Sequence, residues 1–171
     1  MANSIDPKQE QRVWSRVMAA QTGSAAEPNA CERLSRRDAP VFDGEAALAL
    51  CTAQLGAACT YRTLAARARG CARQSLARLA EGKCRKARRL AAVYFMMTGT
   101  KPCPKRSAAS CVRSLSEALR RACCEERCAA ELYRRYAARG GEYASLLGGM
   151  AERAEQNAQT LLCVLQSVLC V

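Results

Sequence analysis

"YRTLAARARGCARQSLARLAEGKCRKARRLAAVYFMMTG" (61–99) reads as the end of one helix, a glycine break at "RARGC" (67–71), and a second helix. Glycine ends helices because it accepts left-handed backbone angles at no steric cost. Steps of four and three place Ala72, Leu76, Leu79, Lys83, Lys86, Leu90, Val93 and Met97 on one stripe of the second helix. Lys83 and Lys86 stand where that stripe should be apolar, and an isolated buried charge is costly. The two lysines therefore require partners.

The same pattern returns downstream. "ARGGE" (138–142) is a second glycine break, and "TGTKPCPKRS" (98–107), with one glycine and two prolines, is a non-helical crossover between the two halves. Four helices are expected, at about 44–68, 71–97, 112–138 and 142–170. Adding 72 carries the first helix's stripe onto the third: Cys51 to Cys123, Gln54 to Glu126, Ala58 to Ala130, Tyr61 to Tyr133 and Ala65 to Ala137. Applied to the second helix, the shift takes Lys83 to Glu155 and Lys86 to Ala158. The two hairpins read as copies of one unit, with register as well as length repeated. The expected fold is all-α, a four-helix bundle over 44–171. Residues 1–43 form a separate segment with a short amphipathic helix at 7–19 and a loop at 20–40.

Composition agrees with this class. Half of the 171 residues are apolar but only 5% are aromatic, a mixture that suits helices in close contact more than a sheet. No apolar run approaches the roughly 20 residues a membrane-spanning helix needs. The N-terminus lacks the basic-then-apolar order of a secretory signal. A cytoplasmic protein with no membrane partner is expected. The net charge, 27 basic less 15 acidic or +12, permits anionic partners. There is no recognised nucleic-acid-reading motif and little aromatic interleaving, so nucleic acid is not an expected partner. Twelve cysteines, with no CxxC pair, are expected to be mostly reduced small hydrophobes. The chain has no histidine, which excludes Ser-His and Cys-His nucleophilic sites and removes the commonest nitrogen ligand for metals.

The polar positions on the stripes are Gln54, Lys83, Lys86, Glu126 and Glu155, with the hydroxyls of Tyr61 and Tyr133. Two are cationic and two anionic, and they are expected to form one buried charge layer. An acidic residue seven before a tyrosine, then a hairpin, then Glu-x-x-His, repeated twice, is the pattern of the ferritin-like di-iron proteins. The stretch at 61–99 and "EERCAAELYRRYAARGGEYASLLGGMAERAEQNAQTL" (125–161) resemble the two halves of rubrerythrin, and "QRVWSRVM" resembles the leader helix of rubrerythrin-like proteins.

In that family a glutamate from each first helix and a Glu-x-x-His from each second helix hold two irons. The matching positions here are Gln54, Lys83, Lys86, Glu126, Glu155 and Ala158, of which only Glu126 and Glu155 are plausible ligands. No normal di-iron centre, no cofactor and no catalytic residue is therefore expected. The expected role is a structural or partner-binding one, with an unnamed protein partner, and related proteins imply a homodimer. The alternative is a di-iron-type oxidoreductase or peroxidase with an unusual ligand set. Iron or a softer metal would then sit on Glu126 and Glu155, with Cys51 and Cys123 as further ligands. The C-terminal CxxC pairs of a rubredoxin module are absent from the sequence.

Overall fold

A computed structural model describes residues 41–105, 114–139 and 141–169; the helix expected at 7–19 lies outside them. The described residues all belong to one compact unit, Arg37–Val171. They form four helices: α1 (Gly44–Arg67), α2 (Gly70–Thr98), α3 (Leu115–Ala138) and α4 (Ala144–Leu169), with no strand among them. No described helix is long and apolar enough to cross a membrane.

Local chemistry sets the helix ends. Asp43 caps α1, its Oδ1 accepting from the Ala46 amide at 2.8 Å, and Ser114 Oγ accepts from the Glu117 amide at 3.4 Å to start α3. Helix α2 stops at Gly99, whose φ of 68° is left-handed and whose N–H bonds the Phe95 carbonyl at 2.8 Å. Residues 99–105, with Pro102 and Pro104, are non-helical, as the sequence requires of the crossover.

Helices α1 and α2 pack as one tight hairpin, and α3 and α4 as the other. Two bonds join them through α1 and α3. Gln54 reaches Tyr133, and Tyr61 reaches Glu126. As position rises along α1 the partner's position falls along α3, so the two helices run antiparallel. A half-turn exchanges the hairpins and carries one bond onto the other. Phe42 adds an edge-to-face aromatic contact at one end, 5.3 Å from Tyr136 and 5.9 Å from Tyr143 between ring centres.

The buried faces fix the repeat. The 72-residue shift takes the buried Ala47, Cys51, Gln54, Ala58 and Tyr61 of α1 onto buried positions of α3. Between α2 and α4 the shift is 71: Leu76 to Leu147, Leu79 to Met150, Ala80 to Ala151, Lys83 to Ala154, Ala87 to Ala158 and Leu90 to Leu161. Two equivalent thiol contacts show the same slip. Cys51 donates to the Ala87 carbonyl, 36 residues on, and Cys123 to the Ala158 carbonyl, 35 residues on. One residue fewer separates the paired positions in the second hairpin. A one-residue rotation of about 100° changes which side chain faces the seam. Leu169, at the end of α4, is exposed.

Asp43→Ala should lower unfolding free energy by about 1 kcal/mol, measured by urea denaturation. Ser114→Ala, which removes a longer bond, should cost less.

A lysine–carboxylate network in the helical seam

The inner faces of α1, α2 and α3 are mainly alanine, leucine and cysteine, and three polar side chains are buried among them. Gln54 and Lys83 are 3% exposed and Glu126 is 1% exposed. Small neighbours such as Ala58, Ala80, Ala87 and Ala130 leave room for these longer side chains.

Glu126 is the centre. Its Oε1 lies 2.6 Å from Lys83 Nζ and accepts a short hydrogen bond from the Tyr61 hydroxyl. Its Oε2 accepts from Asn157 Nδ2 at 3.3 Å. The Lys83 amine also stands 5.9 Å from the centre of the Tyr61 ring, within the range where the ring quadrupole attracts a cation. The carboxylate thus has one cation and two neutral donors, one from each of the other three helices and all four helices meet at this residue. Burial, then the Glu126 charge, pushes the Tyr61 phenol well above its ordinary value. The same two causes raise Tyr133. Both phenols are proton donors or acceptors here, never phenolates at neutral pH.

Around the half-turn axis the network has a neutral counterpart. Gln54 occupies the position equivalent to Glu126, and its Nε2 donates to the Tyr133 hydroxyl at 2.9 Å. Asn157 is equivalent to Lys86 by the 71-residue shift. Asn157 bonds Glu126, whereas neither Lys86 Nζ nor Gln54 Oε1 has a hydrogen-bond partner among the described residues. Lys86 is only half-buried, yet its amine is enclosed. Its pKa falls to about 8, chiefly through desolvation and then through the charge of Lys83, with Glu126 opposing and Arg153 adding to the fall.

Glu155 is not in the layer. It is 56% exposed and pairs with Arg134 on the bundle surface. The physical reason is the one-residue difference between the hairpins, which puts Ala154 opposite Lys83's position and turns Glu155 outward. Lys86 is likewise on the margin of the layer and not in it. Asn157 is the member that a uniform shift of 72 conceals. The entirely apolar stripe on α4 (Leu147, Met150, Ala151, Ala154, Ala158, Leu161 and Leu165) marks the register that puts Ala154 inside and Glu155 outside.

Cys51 and Cys123 are both buried. Their thiols donate to the Ala87 carbonyl at 3.3 Å and the Ala158 carbonyl at 3.5 Å. Desolvation raises both, Cys123 to about 11, so each is a protonated thiol and a poor metal ligand. Eight described cysteines are free, but Cys128 is disulfide-bonded, against the expectation of reduced thiols at that position. Among the described residues no three His, Cys, Asp or Glu side chains come together in a way that could hold a metal ion. A di-iron centre does not fit these residues: the seam offers one carboxylate, already occupied by an ammonium group at 2.6 Å.

No protein-family model, curated protein or solved structure matches the chain.

Lys83→Met should destabilise the protein by about 3–5 kcal/mol, because it strands a buried carboxylate. The double variant Lys83→Met/Glu126→Leu should lose much less than the sum of the single losses, as a denaturation cycle would show. Glu155→Ala should cost below about 1 kcal/mol, as for exposed pairs generally.

Lys86 gives a pH dependence of definite sign. At pH 7 folded and unfolded states both hold its proton, and the folded state bears the cost of enclosing it. Between about 8 and the ordinary 10.5 the unfolded chain holds more protons, so this group's contribution to stability rises with pH. The stability advantage of Lys86→Met over wild type at pH 7 should therefore shrink across that window in parallel urea titrations.

Proposed function

We propose that the chain is a ferritin-like bundle of the rubrerythrin type that has exchanged its metal centre for a lysine–carboxylate network and serves as a non-catalytic structural or partner-binding protein. The observation that carries this reading is the Lys83 amine 2.6 Å from Glu126, on a position where the family pattern calls for a metal-binding glutamate. Three features support it further. The hairpins repeat with matched buried faces. Antiparallel pairing of α1 and α3 brings Gln54 and Glu126, the two first-helix ligand positions, into one seam. The remaining ligand positions, in the corrected register, are Lys86, Ala154 and Asn157, which supply no carboxylate and no imidazole. A redox reaction needs a group that changes oxidation state, and none of these six side chains does so.

Purified chain incubated with excess ferrous iron under argon, desalted and analysed for metal should hold far less than one iron per chain, with no visible absorption band after exposure to air. About two irons per chain with such a band, and peroxide consumption dependent on it, would overturn the reading in favour of an oxidoreductase.

A further inference from the structure

Helices α2 and α4 do not close against each other along their length. Small residues at Ser75, Gly82, Ser145 and Gly149 leave an open cleft of about 850 Å³ between them, a volume in the range of small-molecule sites. It is centred on the half-turn axis, with α2 residues 75–89 on one wall and α4 residues 145–160 on the other. Its walls carry Arg78, Arg85, Arg88, Arg89 and Arg153, with Lys86 and Asn157 also in the lining and Glu152 the acidic residue there. Six cations against one carboxylate leave a surplus of five. Among the described residues Arg78, Arg88, Arg89 and Arg153 make no ion pair.

A row of like charges around a concave surface repels itself, and the repulsion is relieved by a bound counter-charge. Guanidinium groups match the paired oxygens of a phosphate in a two-bond geometry. The segment 75–89 is about 21 Å long at 1.5 Å per residue, enough to span a chain of several phosphates. We infer that the α2/α4 cleft binds a small multivalent phosphate anion, with Arg89, Arg153 and Lys86 among its lining residues. The Lys86 amine, unpartnered and shut off from solvent beside the cleft, is the second, independent observation: Lys83 and Arg153 repel its charge and Glu126, committed to Lys83, offsets it only in part, so an anion in the cleft favours its charged form through the field. Binding at pH 8 should then draw a proton onto Lys86. The inference extends the binding half of the function proposed above, but its failure would leave the iron measurement unchanged, and the reverse holds as well.

Isothermal titration of the full chain with tripolyphosphate at pH 8 and moderate salt, in two buffers of different ionisation enthalpy, tests this. Saturable binding with net proton uptake is expected. Lys86→Gln should abolish the uptake, and Arg153→Ala, a surface change that leaves the core intact, should weaken binding at least about tenfold. Arg120→Ala, on α3 outside the cleft, should change affinity less than twofold. Circular dichroism should show all three variants fully helical. Absence of saturable binding, an equal loss in Arg120→Ala, uptake that persists in Lys86→Gln, or binding of an oligonucleotide without binding of tripolyphosphate would each overturn the inference.

Discussion

The buried contact between Lys83 and Glu126 is the constraint around which the seam is organised. Two charges removed from water lose hydration that their mutual attraction regains only with good geometry and further hydrogen bonds. The surrounding residues follow from that requirement. Tyr61 and Asn157 occupy lone pairs on Glu126 that the lysine leaves open. Alanines on all four helices make the space. The pair also discriminates among packings, because any register that separates the two groups leaves one of them stranded. Such a network need not make the fold more stable than an apolar seam would; its strongest effect is on which arrangement is allowed.

The half-turn relation makes the asymmetry informative. Two tyrosines reach across to equivalent positions, and one finds a carboxylate while the other finds an amide. The charged half is complete: Glu126 has three partners. The half around Gln54 is not, since Gln54 Oε1 and Lys86 Nζ are both enclosed without one among the described residues. Residues equivalent to Lys86 and Gln54 do bond each other on the other side. The incomplete half opens toward the cleft between α2 and α4, whose lining includes Lys86.

Helix number, helix limits and the crossover were legible from glycine breaks, prolines and the 3.6-residue period. So were the burial of Gln54, Glu126, Tyr61 and Tyr133, because α1 and α3 repeat without a gap, and that of Lys83, which stands on the apolar stripe of its own helix. Glu155 was misplaced for a specific reason. The shift of 72 holds from α1 to α3, but equivalent positions across the second turn lie one residue closer in sequence, which rotates every later side chain. Burial energetics held the correction: the register with Ala154 inside buries no charge on α4, whereas the one with Glu155 inside does. Asn157 had no such signal, since one amide on a helix margin looks like any solvated residue. The cleft was equally hidden, because the arginines of α2 read as an ordinary solvated face until the glycines and serines of the two helices are seen to align. The disulfide at Cys128 follows from no local pattern.

One property of Lys83 distinguishes this seam from an ion-filled one. Its positive charge is delivered by a tether of covalent bonds, so it is present from synthesis, in fixed stoichiometry, and no chelator or competing cation can extract it. The charge balance at Glu126 is thereby independent of metal supply. The corresponding limit is adjustability: an ammonium group holds a single charge and a single valence.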